Sequence, residues 1–178
     1  MGRRAMRIFG LAGWSGSGKT TLMVALLPAL RAQGVTVSTV KHAHHHFDVD
    51  QPGKDSWRHR QAGATEVMVA SGQRWALMHE HRGAPEPPLT VLLERMTPVD
   101  LVIVEGFKWD PHPKLEIHRP SEGKPLICRE DPHIVAVATD APIPGLSLPT
   151  LDINDPPAIA AFILEHCGLA RAGRLAGG

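Results

Sequence analysis

The sequence contains few cysteines, and none of them in a disulfide or metal-binding pattern. Only two occur among the 178 residues, Cys128 and Cys167, and they lie far apart with no CxxC motif. This spacing gives no indication of a disulfide framework or of a metal site built from thiolates. We therefore expect neither a disulfide-stapled scaffold nor a zinc module.

Net charge and long apolar runs are also lacking. The formal net charge is only +1 at pH 7, which argues against broad, non-specific binding to nucleic acid or to a membrane. No apolar run approaches the ~20 residues that are needed to cross a bilayer. The opening Met1–Met6 is basic, but the apolar stretch behind it is short and no secretory signal follows. The sequence therefore predicts a cytoplasmic protein with no membrane and no nucleic-acid partner.

Length and composition predict one globular domain. The chain has 43% hydrophobic and 21% charged residues, which matches a protein that buries a proper core. We expect a single nucleotide-binding domain over residues 1–169 and a disordered tail over residues 170–178. No internal repeat is present.

Apolar patterning along the chain predicts alternating strands and helices. β-Branched or continuous apolar runs indicate strands at Met6–Ala12, Val35–Val40, Glu66–Ala70, Arg74–Met78, Val99–Val104, Lys114–His118 and Ile134–Ala138. Apolar residues at helical spacing indicate helices at Lys19–Arg31, Asp55–Ala62, Leu89–Met96 and Ala158–His166. This order predicts an α/β fold of the P-loop NTPase type: a mainly parallel sheet with helices on both faces and a small β excursion.

A P-loop follows the first strand. The run Gly13–Thr20, GWSGSGKT, matches the phosphate-binding pattern at every fixed position: Gly13, Gly18, Lys19 and Thr20. Glycines let the backbone curl until several N–H groups face one point, and the next helix adds its positive N-terminal end. Lys19 is expected to reach the β- and γ-phosphates, and the Thr20 hydroxyl to bind Mg²⁺. The remaining expected phosphate contacts are Ser15, Gly16, Ser17 and Thr21.

The second magnesium partner is expected at the end of a buried strand. Glu105 directly follows the apolar run LVIV and precedes Gly106, whereas Asp100 lies near the beginning of that strand, at the wrong end for a nucleotide. We therefore predict Glu105 as a metal-binding and catalytic residue beside Lys19, against the alternative of a solvated strand end.

A histidine-rich stretch follows the second strand. Five of the eleven histidines fall between Lys41 and Arg60, namely His42, His44, His45, His46 and His59. A loop at this edge of the sheet suits an anionic ligand or a metal, but neighbouring histidines alone do not define a metal geometry. A solvated loop without a ligand is the other interpretation.

Three motifs together resemble the MobB family, the adaptor proteins of molybdopterin-guanine dinucleotide biosynthesis. The P-loop is the first motif. The second is carried by Lys41–His45, Gly53–Ser56 and Ala62–Ala64, and the third by Val104–Lys108, Pro113–Lys114 and Arg119. A P-loop alone is a weak signal, whereas three motifs in family order over residues 7–119 are specific.

The resemblance implies a GTP-binding protein that forms a homodimer and works beside MobA, the nucleotidyltransferase that joins GMP to molybdopterin. It also implies GTP and Mg²⁺ as cofactors, with molybdopterin itself as a further ligand. The residues that would border the nucleotide or a pterin phosphate are His42, His44, Lys54, Asp55 and Lys108.

Guanine recognition is not visible as a motif, since the chain has no NKxD sequence. Asp140, at the end of a predicted strand, is the best candidate to accept hydrogen bonds from guanine N1 and N2. A plain turn aspartate is the alternative interpretation.

Two other functions use the same phosphate site. A small-molecule kinase would need a catalytic base, for which Asp50 or Asp55 is available, and a nickel-insertion GTPase would need a metal site at a dimer interface. Our preferred hypothesis is an adaptor with at most slow GTPase activity. No arginine lies within the P-loop or next to Glu105 in sequence, and no glutamine follows Glu105-Gly106.

Overall fold

A computed structural model of the chain describes residues 5–43 and 47–170. The described residues form two compact units, one up to His42 and from Thr97 onward, the other over Ala43–Met96. The single domain over residues 1–169 stays a prediction. Most of the predicted tail (171–178), together with His44, His45 and His46, lies outside the described residues.

The order of elements along the chain follows the predicted alternation of strands and helices. The strands are β1 (Arg7–Ala12), β2 (Val37–Lys41), β3 (Glu66–Ala70), β4 (Trp75–His79), β5 (Leu101–Glu105), β6 (Lys114–His118), β7 (Ile134–Thr139) and β8 (Thr150–Asp152). The α-helices are α1 (Lys19–Ala32), α2 (Asp55–Gln61), α3 (Leu89–Glu94) and α4 (Pro156–His166). Two short 3-10 turns occupy Pro120–Glu122 and Ile127–Arg129.

The first unit is built on a six-stranded parallel sheet in the order β2-β5-β1-β6-β7-β8. Strand β5 lies between β2 and β1, and four of its residues, Leu101 to Val104, are fully buried. A strand buried on both faces reads as a continuous apolar run, which is why this strand gave the strongest signal in the sequence. Strand β8 was not predicted, because three residues after a proline carry no periodic pattern.

One face of this sheet packs against the two long helices. The side chains of Phe9, Leu11, Leu115 and Ile117 meet the apolar stripes of α1 and α4 in one core. In the described part of this unit, the opposite face instead carries the 3-10 turn at Ile127, which packs on Ala12 and Ile134. Among the described residues of this unit, α1 and α4 therefore cover one face of the sheet, and the shorter turn covers part of the other.

The connection from β5 to β6 crosses β1 without a helix, and Gly10 makes this crossing possible. A Cβ built on Gly10 would lie 2.6 Å from Nε2 of His112 and 2.8 Å from Cγ of Lys114. The His112 ring is buried, and neither of its nitrogens has a hydrogen-bond partner among the described residues. Next to it, buried Lys114 donates to the Asp110 carbonyl (2.7 Å) and to Asp131 Oδ2 (3.0 Å). A charge buried this deeply is tolerable because it is paired.

Burial of His112 predicts a loss of stability in acid. Burial lowers its pKa from 6.5 to about 4, with Lys114 and His133 adding to the shift and Asp110 and Asp131 opposing it. Below pH 6.5 His112 binds a proton in the unfolded chain but not in the folded chain. The contribution of neutral His112 to the free energy of unfolding is therefore complete above pH 6.5 and is lost as the pH falls towards 4. The loss should reach roughly 3 kcal/mol at most. Urea unfolding between pH 7 and 4.5 measures it.

His112→Gln keeps a polar group of similar length but does not titrate, so its free energy of unfolding should fall less with acid than that of the unsubstituted chain. The matched control is His59→Gln, since His59 is exposed on α2. Equal acid sensitivity of His112→Gln and the unsubstituted chain would contradict this explanation.

The second unit contains α2, α3 and the antiparallel hairpin of β3 and β4. Its main polar cluster centres on Arg60, which donates to Asp48 (2.7 and 2.8 Å), to Asp50 (3.3 Å) and to Glu80 (2.9 Å). The hairpin exposes large apolar side chains: Met68 (61%), Val69 (46%), Trp75 (61%) and Leu77 (40%). Such a patch is typical of an interaction surface.

Candidate nucleotide-binding site

The P-loop lies between β1 and α1, as its motif predicts. Gly13 has φ 156° and Gly18 φ 97°. A Cβ on Gly13 would lie 2.6 Å from Ser17 Oγ and 2.8 Å from the Ile117 carbonyl, so no larger residue fits there. Ser17 is buried, and its hydroxyl has no hydrogen-bond partner among the described residues. The loop thus has the tight curl that a phosphate cradle requires.

Lys19 begins α1, and its ammonium group folds back along the P-loop. Its Nζ donates to the carbonyls of Gly13 (2.9 Å) and Trp14 (2.8 Å). Burial lowers the pKa of Lys19, while the nearby charge of Glu105 acts in the opposite direction. The ammonium group is therefore held at the loop, where its hydrogen bonds can pass from the carbonyl oxygens to the oxygens of a bound phosphate.

Glu105 and Thr20 offer oxygen ligands of the kind that Mg²⁺ takes. Glu105 ends β5 and pairs in register with Leu11 of β1, two residues before the P-loop, and its side chain is only 14% exposed. Lys41, at the end of β2, lies 3.8 Å from its carboxylate. Thr20 is exposed in the first turn of α1. The hydroxyl next to Lys19 in sequence and a carboxylate whose charge acts on Lys19 are the oxygen ligands expected for a magnesium ion that also binds phosphate.

His42 packs at the end of β2 beside the segment that follows Glu105. Its ring contacts Phe107 with centroids 4.7 Å apart, and its backbone N–H donates to the Glu105 carbonyl at 2.8 Å. A Cβ on Gly106 would lie 2.5 Å from His42 Cβ, and Phe107 adopts an unusual φ of 48°. The turn after the proposed magnesium ligand is therefore sterically fixed.

Two lysines contact the outer part of the P-loop. Lys108 places Nζ 4.2 Å from the centre of the Trp14 ring, a cation–π contact. Lys124 donates to the Ser15 carbonyl at 2.8 Å, and Trp14 Nε1 donates to the Pro125 carbonyl at 2.7 Å. The sequence indicated Lys108 through the third motif, but it gave no signal for Lys124, whose stretch matches no motif.

Arg119 and Asp140 form an ion pair at the carboxyl ends of β6 and β7. The side chains are 33% and 26% exposed, respectively. The Arg119 guanidinium also reaches the P-loop, since a Cβ on Gly18 would lie 3.7 Å from both its Nε and Nη2 atoms. Asp140, predicted as a guanine acceptor, thus lies at the same sheet edge as the P-loop and contacts an arginine there.

The other predicted site residues fall into three groups. Gly16 and Ser15 lie at the exposed tip of the P-loop, and Thr21 is exposed on α1. Lys54 and Asp55 lie at the start of α2 in the second unit, where their role in nucleotide binding stays a prediction. His44 lies outside the described residues.

Residues 5–43 and 47–170 contain no cluster of three or more histidines, cysteines or carboxylates that could hold a metal ion. Burial raises the pKa of both Cys128 and Cys167 to about 11, so neither is a ready thiolate ligand at neutral pH. Within the same residues, no helix is both long enough and apolar enough to span a bilayer.

Known proteins match most of this chain. The family model "Molybdopterin guanine dinucleotide synthesis protein B", MobB, matches residues 8–140. A relative from Escherichia coli (strain K12) is 44% identical over 167 residues, which is 92% of this chain and 95% of the relative. A relative from Haemophilus influenzae is 46% identical over 170 residues, or 92% and 93% of the two chains. Both relatives are named molybdopterin-guanine dinucleotide biosynthesis adapter protein.

The fold is also that of a solved structure. A crystal structure of molybdopterin-guanine biosynthesis protein B (mobB) matches with a TM-score of 0.70 and 28% identity, over 89% of this chain and 99% of that one. The predicted α/β fold with a mainly parallel sheet is thereby confirmed.

Proposed function

Because this chain belongs to the MobB family, we propose that it is a GTP-binding adapter that assists the attachment of GMP to molybdopterin. The adapter role in molybdopterin-guanine dinucleotide biosynthesis follows from the family, which confirms the resemblance seen in the sequence. The observation that carries the nucleotide part is the P-loop, with Lys19 curled along it and Glu105 beside it. A nucleotide-binding adapter thus accounts for both the motifs and the fold.

Mg²⁺ is the cation we propose for this site, held by Thr20 and Glu105. The ion would supply charge neutralisation between the β- and γ-phosphates. This chain's own residues supply the rest: the P-loop amides orient the phosphates, and Lys19 adds a fixed positive charge. Ser15, Gly16, Ser17 and Thr21 would complete the phosphate contacts.

The proposed partner is a MobA-type nucleotidyltransferase, with molybdopterin as a further ligand near Lys108. We propose that the protein acts as a homodimer, supported by the exposed apolar side chains of the hairpin, Met68, Trp75 and Leu77. Cytoplasmic location is part of the same proposal, supported by two free cysteines, which suit a reducing compartment.

A kinase is supported less well by the structure. Asp50, one of the two bases considered for it, already accepts hydrogen bonds from Ser56 Oγ (2.7 Å) and Arg60 Nε (3.3 Å), and its side chain is 8% exposed. A carboxylate held this way suits a structural role better than proton abstraction. The nickel-insertion alternative gains no support from Cys128 and Cys167, given their raised pKa values.

The experiment that tests the adapter proposal is capture of a MobA-type nucleotidyltransferase on the immobilised protein. We expect the two proteins to co-elute, and the transfer of GMP to molybdopterin to proceed faster with the adapter present. Transfer at an unchanged rate, together with no co-elution in GTP, GDP or nucleotide-free buffer, would contradict the proposal.

Asp140 provides a test of base selectivity. Asp140→Ala should lower the affinity for GTP more than that for ATP, because only guanine presents the N1–H and N2–H₂ donors to a carboxylate. Hydrogen bonds to charged groups contribute ~1.5–3 kcal/mol, so the extra loss for GTP should be about ten- to a hundred-fold. Calorimetric titration with both nucleotides measures it. An equal loss for GTP and ATP would show that Asp140 does not read the base.

A further inference from the structure

Arg119 belongs to the third sequence motif, but nothing in the sequence indicated that it lies at the P-loop. It is not adjacent to the P-loop in sequence, yet its guanidinium lies beside Gly18, the residue before Lys19: a Cβ on Gly18 would be 3.7 Å from its Nε and Nη2 atoms. Backbone N–H groups of a P-loop surround the α- and β-phosphates, and the lysine reaches the β- and γ-phosphates. Arg119 therefore lies beside the stretch of backbone that is expected to surround the inner phosphates.

The backbone around Arg119 and Asp140 holds both side chains in place. Arg119 directly follows β6, and its carbonyl accepts from Glu122 N (3.0 Å) at the start of a 3-10 turn. Asp140 directly follows β7, where the Thr139 hydroxyl donates to the Ala141 carbonyl (2.8 Å) and fixes the turn. Since β6 and β7 are neighbours in a parallel sheet, their carboxyl ends bring the two residues together.

Electrostatics favour an anion beside this arginine. The pKa of Lys19 is lowered first by burial and then by the charges of Lys108, Lys41 and Lys124, while Glu105 acts in the opposite direction. With Arg119, five positive side chains lie at or near the loop, against the two carboxylates of Glu105 and Asp140. An exposed ion pair contributes only ~0–1 kcal/mol to the free energy of unfolding, so stability alone does not explain why the Arg119–Asp140 pair lies beside the P-loop. The phosphates of a nucleotide supply the missing negative charge.

We propose that Arg119, held by Asp140, contacts the α- and β-phosphates of the nucleotide in the P-loop of the same chain. The inference rests on the proposed nucleotide binding and adds to it a phosphate-binding residue and a positioning residue. Arginine suits this position because its planar fork can form two hydrogen bonds to one phosphate, whereas lysine offers a point charge. Asp140 then has a base-independent role in addition to the predicted contact with guanine.

The test compares Arg119→Ala, Arg119→Gln and Arg119→Lys in competition titrations with GTP, GDP and guanosine, each displacing a fluorescent GTP analogue. Arg119→Ala and Arg119→Gln should both lose about ten- to a hundred-fold in affinity for GTP and equally for GDP. Guanosine, which has no phosphate, should compete as well as it does with the unsubstituted protein. Arg119→Lys should recover part of the loss, which a purely structural role would not predict. If Arg119→Ala folds poorly, Arg119→Gln keeps a hydrogen-bonding side chain of similar length for the same comparison.

Asp140→Asn removes the charge that holds Arg119. It should weaken the binding of GTP, GDP and ATP, and in the Arg119→Ala background the further loss for ATP, which lacks the guanine contact, should be small. Unchanged GTP affinity in Arg119→Ala, with Lys19→Ala unable to bind, would overturn the inference while leaving nucleotide binding intact. A loss confined to GTP would also overturn it, since Arg119 would then act on the γ-phosphate. Failure of the unsubstituted protein to bind GTP would instead refute the proposed function.

Discussion

Lys19→Ala is expected to abolish measurable binding of GTP in the presence of Mg²⁺. The substitution removes the ammonium group that folds back along the P-loop, where it donates to the Gly13 and Trp14 carbonyls. Charge-assisted hydrogen bonds to phosphate are among the strongest in proteins, and a truncated lysine leaves the β- and γ-phosphates without a fixed cation. We expect a loss of at least a hundred-fold in affinity, measured by calorimetry.

The fold should survive this change, because the Lys19 ammonium group donates to P-loop carbonyls and Lys19 is not part of the hydrophobic core around α1 and α4. Its matched control is Arg31→Ala, which removes one positive charge from the exposed last turn of the same helix. Arg31→Ala should bind GTP normally. Affinity close to that of the unsubstituted protein in a well-folded Lys19→Ala variant would refute the assignment of the P-loop.

The isolated protein should hydrolyse GTP very slowly, at about 10⁻² s⁻¹ or less, compared with ~1–100 s⁻¹ for a kinase. Fast hydrolysis needs a positioned water and a cation over the developing charge on the γ-phosphate. No glutamine follows Glu105-Gly106, and Lys108 is engaged with the Trp14 ring. Arg119, which we propose to contact the α- and β-phosphates, would not stabilise that charge on the γ-phosphate. Single-turnover assays with Mg²⁺ measure this rate.

The same hydrolysis assay tests the two proposed magnesium ligands and the effect of the nucleotidyltransferase. Thr20→Ala and Glu105→Gln should each lower the residual rate and raise the Mg²⁺ concentration that is required, because each loses a proposed ligand. Addition of the nucleotidyltransferase is expected to stimulate hydrolysis if it supplies the missing cation. A rapid rate in the isolated protein would contradict the adapter hypothesis and favour a phosphotransfer enzyme. Normal hydrolysis by Glu105→Gln would show that another residue is the acidic ligand of Mg²⁺.

Local sequence patterns predicted most of the fold, because its strands and helices are encoded by short-range periodicity. The apolar run at Leu101–Val104 marks a strand buried on both faces, and the glycines of the P-loop mark a turn that only they can form. The edge strand β8 escaped prediction because it is short. The sequence also did not show that α1 and α4 share one face, since that depends on strand order rather than on either helix.

The sequence predicted those residues of the candidate site that belong to one motif or stand at the end of a recognisable strand. Lys19 and Thr20 belong to a single loop, and Glu105 could be placed because the ends of parallel strands meet at one edge. The pair of Arg119 and Asp140 required knowledge that β6 and β7 are neighbours. Lys124 contacts Ser15 across 109 residues of sequence, and no local pattern records such a contact.

The position of Trp14 makes the P-loop optically distinctive. Its indole lies inside the phosphate-binding loop, with the Lys108 ammonium over the ring and its N–H fixed to the Pro125 carbonyl. Indole fluorescence responds to charges near the ring. Phosphates that attract Lys108 away from Trp14 should therefore change the wavelength and the intensity of the Trp14 emission. The chain has four tryptophans, and Trp57, Trp75 and Trp109 can be replaced by phenylalanine to leave this one alone. The protein thus carries its own fluorophore at the point where the nucleotide is expected to arrive, and nucleotide exchange could be followed in real time without a label.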